Sequence, residues 1–197
     1  MGSADEEAAL VERLRGGERA AFRALYARYA QPTFAFLARL TLERGAAEDL
    51  HQETWLRVAR YAQRLAPGTD LAAWIFTVAR NTFRSARRRP ELLVLTREGA
   101  TPAAGDASAS SGDDPGCRDL ERALRALPEP SRELLLLVGV EGLSTRQAAE
   151  VLQLREDAVR QRLLRAREAL LEIMRRADDA GDSDGPRRRA QRVRGGP

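Results

Sequence analysis

Residues 100–117, ATPAAGDASASSGDDPGC, constrain the architecture more than any other stretch of this chain. Ala, Gly, Ser and Asp dominate it, and it holds too little apolar material to offset the entropy of ordering it, so it reads as a flexible linker. The sequence on either side must then fold as two separate blocks. With 197 residues and 43% hydrophobic content there is enough apolar surface for two small cores. In both blocks apolar residues recur at three- and four-residue steps, no alternating run long enough for a strand is found, and the LLVL at 92–95 is too short to count as one. The expected fold is all-α: two small helical domains, 1–90 and 118–175, joined by a linker at 91–117 and followed by a disordered arginine-rich tail at 176–197.

Punctuation residues divide the blocks further. Leu10, Val11 and Leu14 precede a stop at Gly16-Gly17; a second helix carries Phe22, Leu25 and Tyr29 until Pro32 interrupts or kinks it; Phe34, Phe36, Leu37 and Leu40 continue the pattern to Gly45. Two longer helices are predicted near 46–65 and 70–89, then four more near 118–127, 131–140, 144–152 and 157–174. Ser144 and Gln147 have the S-x-x-Q spacing of a capping box, and Asp70 or Thr69 is placed to cap the helix near 70.

Composition excludes several chemistries. One cysteine, Cys117, and one histidine, His51, cannot build a zinc cluster, a disulfide framework or a Cys/His pair, and His51 reads as a packing residue. No clustered carboxylates or nucleophile–base pair are present, so no catalytic residues, metal, cofactor or small-molecule substrate is expected. The acidic start MGSADEEAALVERL has no apolar h-region and no run approaches a membrane span, which predicts a cytoplasmic protein without membrane insertion. All 33 cations are arginine, whose planar fork suits phosphates and base edges.

Three helix faces carry the functional signal. On helix 46–65, Ala47, Leu50, Thr54, Val58, Tyr61 and Leu65 form the core side, while Asp49, Gln52, Glu53, Leu56 and Arg60 fall opposite, an acidic and amide stripe around one leucine. Spacing alone favours a solvated face, which is what most charged helix faces are. On helix 70–89, Leu71, Trp74, Ile75, Val78 and Thr82 form the buried stripe. The far side gathers Phe76, Arg80, Phe83, Arg84 and Arg87, with Asn81 and Arg88 on a flank. Rings and guanidinium groups on one surface suit unstacked bases and their phosphates, at about 1–3 kcal/mol per stacked base; the same spacing also fits aromatic residues packed on a neighbouring helix. In the second block STRQAAEVLQLREDAVRQRLLRAREAL reads as a short helix, a tight turn and a longer helix with Arg160, Gln161, Leu164, Arg165 and Glu168 outward, which matches a helix-turn-helix. A ligand-sensing dimeric helix-turn-helix regulator and a small nucleic-acid enzyme are the competing classes.

These segments resemble the two domains of bacterial RNA polymerase sigma factors of the extracytoplasmic-function (ECF) class. AEDLHQETWLRV looks like the family's polymerase-binding helix, AAWIFTVARNTFRSARRR like its promoter-melting helix, and ALRALPEPSRELLLLVGVEGLSTRQAAEVLQLREDAVRQRLLRARE like its upstream-element reader. The resemblance implies that Asp49, Gln52 and Glu53, with Leu56 and Arg60 beside them, dock on the clamp of the polymerase core's large subunit. It implies that Asn81 and the RLAPGT loop hold a flipped base, with Arg84, Arg87 and Arg88 along its phosphates and Phe76, Arg80 and Phe83 on the same melting surface. It implies that Arg160, Gln161, Arg162, Leu164 and Arg165 face upstream promoter DNA, and that Ser144 and Arg146 touch its backbone. An anti-sigma factor is a further implied partner. Departures from the family pattern fall at Gln153, where Gly is common, Arg155, where Pro is common, and Asp157-Ala158 in place of Gly-Thr.

Overall fold

The computed structural model describes residues 3–88 and 115–182, so the linker from 89 to 114, LLVL within it, and the tail beyond 182 lie outside the described residues. Among the described residues eight α-helices follow in order: α1 Ser3–Arg15, α2 Arg19–Thr41, α3 Arg44–Tyr61, α4 Leu71–Arg87, α5 Pro115–Ala126, α6 Glu129–Leu135, α7 Thr145–Leu152 and α8 Glu156–Asp182. A short 3₁₀ turn, Ala62–Arg64, follows α3, and α6 widens into a π turn, Leu136–Val140. No strand occurs among the described residues, so the all-α expectation holds.

Helix ends have identifiable causes. The Asp70 carboxylate accepts from Ala73 N–H at 3.0 Å and caps α4. Ser144 Oγ accepts from Gln147 N–H while Gln147 Oε1 accepts from Ser144 N–H, closing the expected capping box on α7. Gly142 sits at φ 71°, the left-handed geometry the turn before α7 requires.

Three boundaries differ from the sequence reading. Pro32 does not end α2, which is continuous from Arg19 to Thr41. Beside it, Thr33 Oγ1 donates to the Tyr29 carbonyl at 2.7 Å; the carbonyl that Pro32 deprives of its helical donor is that of Arg28. Tyr61 is exposed rather than core, because the chain tightens into the 3₁₀ turn there and Ala62 and Leu65 take the buried positions; Trp55 fills the core of α3. Helix α8 runs to Asp182, into the segment expected as tail.

The first core joins α1, α2, α3 and the start of α4 through Val11, Leu14, Leu25, Trp55, Val58, Leu71 and Ile75. Trp55 meets Tyr26 edge-on at 4.7 Å and Phe22 at 6.1 Å. The second core crosses between the units. Phe36, Leu37, Phe76, Ala79 and Phe83 of the first unit share one apolar cluster with Leu134, Leu137, Ala148, Val151 and Leu163 of the second. The reason lies in SRELLLLVGV: Arg132 through Leu137 are all buried, and a helix apolar all round cannot cover itself within a small four-helix unit. Helix α4 supplies the missing wall.

Candidate nucleic-acid and partner interfaces

Helix α3 presents its acidic stripe as expected. Asp49, Gln52, Glu53, Leu56 and Arg60 are all exposed, with Leu56 at 58%, while Ala47, Thr54 and Val58 are buried behind them. Arg57 donates to Glu53 at 2.7 Å, an i,i+4 pair that fixes the carboxylate without hiding it. His51 packs on the inner edge of the stripe, its Nε2 also approached by Trp55 Nε1–H at 2.9 Å, and burial holds its pKa below the usual histidine range. It is a packing residue, as its position beside the core edge suggested.

Helix α4 requires a correction. Phe76 (2% exposed), Phe83 (5%) and Arg80 (7%) do not form an open aromatic and arginine surface; they are buried beneath the second unit. Phe76 meets Phe36 edge-on at 5.4 Å. Arg80 Nε donates to Glu133 Oε1 at 2.7 Å, and its Nη1 donates to the Val151 carbonyl. Burial pushes the Glu133 carboxyl up in pKa, and the adjacent Arg80 opposes that shift. Asn81, Arg84, Arg87 and Arg88 remain exposed, with Arg87 near the Phe83 ring and paired with Glu129 of α6. A groove of about 1040 Å³ is lined both by Asp49 and Glu53 of the acidic stripe and by Arg87, Arg88 and Arg132.

Helices α7 and α8 form the helix-turn-helix. The turn between them is closed by Gln153 N–H to the Glu150 carbonyl at 3.2 Å and Leu154 N–H to the Ala149 carbonyl at 2.9 Å, with Gln153 left-handed at φ 56°. Glycine suits that conformation better, yet the turn retains its geometry with glutamine. Glu156 links the two helices: its Oε1 accepts from Thr145 Oγ1 and from Arg160 Nη1, both at 2.7 Å. Val159, Leu163 and Ala166 are buried; Arg160, Gln161, Arg162, Leu164 and Arg165 are exposed, Leu164 at 61%. Ser144 and Arg146 are exposed at the start of α7.

Several structural residues escaped the sequence reading. Glu7 of α1 accepts from Leu71 N–H at 2.8 Å, tying the N-terminal helix to the loop before α4. Nothing in local sequence signals a bond spanning 64 positions. Glu133 did carry a signal, since a carboxylate heading the run LLLL must find a partner once the helix is buried, and it finds Arg80.

Two helical units, one bearing a helix-turn-helix with an arginine-faced second helix, define a DNA-binding protein. Residues 25–91 match the family model for Sigma-70 region 2, and residues 117–170 match that for Sigma-70, region 4. The chain belongs to the sigma-70 family of RNA polymerase sigma factors, within its ECF class, and is a promoter-recognising transcription initiation factor. It is 36% identical over 168 residues to the RNA polymerase sigma factor CarQ of Myxococcus xanthus, covering 83% of this chain and 95% of that protein. It is 32% identical over 152 residues to the ECF RNA polymerase sigma factor EcfG of Rhodopseudomonas palustris, covering 76% and 84%. Among solved structures, the sigma factor RpoE in complex with the anti-sigma factor NepR from Bartonella quintana superposes with a TM-score of 0.65 at 29% identity, covering 78% of this chain and 96% of that one. No described helix is long and apolar enough to cross a membrane.

Proposed function

We propose that this chain works in the cytoplasm as a dissociable initiation factor whose three faces divide the labour and which carries out no chemistry of its own. The α3 stripe of Asp49, Gln52, Glu53, Leu56 and Arg60 docks on the clamp of the polymerase core. Asn81 and the loop before α4 hold a base of the opened strand, with Arg84, Arg87 and Arg88 along its phosphates. Arg160, Gln161, Arg162, Leu164 and Arg165 face the upstream promoter element, where Arg and Gln suit guanine and adenine edges, while Ser144 and Arg146 touch the backbone. The observation carrying this reading is that one chain exposes both an acidic helix face with a central leucine and an arginine-faced recognition helix. The RpoE relative is complexed with an anti-sigma factor; we extend that partner class to this chain.

The test mixes purified chain, sigma-free core polymerase and genomic promoter fragments, and reads start-site-specific transcripts. Changing Asp49 and Glu53 to arginine is expected to abolish core binding and transcription while leaving duplex binding by α8 intact. Undiminished core binding would remove α3 from the docking surface.

A further inference from the structure

His51 is the single histidine of the chain, and it sits on α3 between Asp49 and Glu53. Those two carboxylates are exposed, whereas the imidazole packs against α2, where Phe34 meets it edge-on at 5.6 Å. One ring nitrogen, Nε2, lies 2.9 Å from two groups with opposite demands. The Trp55 indole N–H can only donate, and the Ala30 carbonyl can only accept. A bare Nε2 satisfies Trp55 and a protonated one satisfies Ala30, so the proton decides which contact holds.

The surroundings favour the bare nitrogen. Ala30 has another donor, Thr33 Oγ1 at 3.0 Å, whereas His51 Nε2 is the acceptor for the Trp55 N–H among the described residues. Trp55 is only 7% exposed and packs edge-on against Phe22 and Tyr26, so stripping its N–H of an acceptor leaves a buried donor unpaired. The groups on the ring, Ala30 and Phe34 of α2 and Trp55 of α3, do not titrate. Along α3 the carboxylates of Glu48 and Glu53 are tied to Arg44 and Arg57. Burial lowers the His51 pKa and the Ala30 carbonyl opposes the fall, with no charged side chain entering that balance.

We propose that His51 is a positioning residue of the docking face: its unprotonated Nε2 anchors Trp55, and a proton there releases the indole and weakens attachment to the polymerase core. Leu56 follows Trp55 directly and Gln52 lies one turn before it, so a shift of the indole reaches the exposed stripe through the helix itself. This inference rests on the α3 docking reading above and adds a chemical condition to it: the chain engages the core best when His51 is neutral.

The test starts with proton–nitrogen NMR of the full chain, in which one histidine gives one imidazole and Trp74→Phe leaves Trp55 as the only indole. At about pH 8 Nε2 should carry no proton. On acidification the Trp55 N–H signal should move with the same midpoint as the ring, below the ordinary histidine value of 6.5. A proton on Nε2 at about pH 8, or an indole signal that ignores the titration, overturns the proposal. Affinity for sigma-free core is then compared at each pH between the unaltered chain and His51→Gln, whose amide oxygen can accept from Trp55 but whose side chain does not titrate. Taking the ratio removes the polymerase's own pH dependence. The unaltered chain should lose affinity relative to the variant by up to about tenfold for each pH unit below the His51 midpoint, and a flat ratio overturns the proposal. If circular dichroism shows His51→Gln misfolded, Trp55→Phe takes its place: it has no N–H to lose, so its core affinity should not follow the His51 midpoint, and the same flat ratio counts against the idea. A coupled His51–Trp55 titration with pH-independent core affinity sinks this proposal alone. Core binding that survives Asp49→Arg with Glu53→Arg removes the docking reading, and this proposal with it.

Discussion

Asp70 uses its two carboxylate oxygens on two different helices: Oδ1 accepts from Ala73 N–H at the start of α4, and Oδ2 accepts from Gln147 Nε2 at the start of α7. One side chain therefore caps α4 and holds the capping-box glutamine of the helix-turn-helix. Asp70→Ala removes both bonds, and a loss of about 1–2 kcal/mol in urea unfolding is expected from the cap alone. Asp70→Asn, which keeps an acceptor for the cap, should lose less.

Arg165 is exposed on the outer face of α8 beside Gln161 and Leu164. If it meets a phosphate, Arg165→Ala weakens binding to all duplex sequences alike and reduces the slope of log affinity against log salt by about 1. If it reads a base edge, discrimination at one position falls by about 1–3 kcal/mol. Titrations at several salt concentrations on matched and mismatched promoter fragments separate the two, and no change in either removes Arg165 from the interface.

Gln153 occupies the left-handed position of the helix-turn-helix turn. A side chain there costs about 1 kcal/mol relative to glycine. Gln153→Gly is expected to raise stability by that order, read as a higher denaturation midpoint, because the turn geometry is already what glycine prefers.

Burial pushes the Glu141 carboxyl up from 4.5 to about 7, with the Arg39 guanidinium opposing the shift. The folded state therefore holds a proton that the unfolded chain has released. This contribution to stability is complete below 4.5 and is lost as pH rises through about 7. Glu141→Gln should flatten that loss. Urea midpoints measured at about pH 5 and about pH 8 check it: the unaltered chain should decline more between them than the variant.

Much of the fold was legible because helices announce themselves locally. The Ser144–Gln147 box, the Asp70 cap and the apolar stripe of Val159, Leu163 and Ala166 are written within a few residues of where they act. The acidic stripe on α3 was legible for the same reason. The burial of Phe76, Arg80 and Phe83 is not legible in the same way, because a helical period assigns one buried face, whereas α4 is covered on two sides, once by its own unit and once by α6 and α7. The second covering depends on contacts between residues far apart in sequence, such as Arg80 with Glu133, and periodicity carries no record of these. Pro32 suggests an interruption by sequence, yet α2 runs through it from Arg19 to Thr41.

Helix α8 spans 27 residues, from Glu156 to Asp182. At 1.5 Å per residue that is a rod of about 40 Å, comparable with the width of a small domain. It therefore acts as a lever arm, and a fluorophore or affinity tag attached past Asp182 begins its tether at the opposite end from Arg160. Such a reporter would swing through a large arc when the helix-turn-helix changes orientation, which makes the far end of α8 the natural place to watch this protein move.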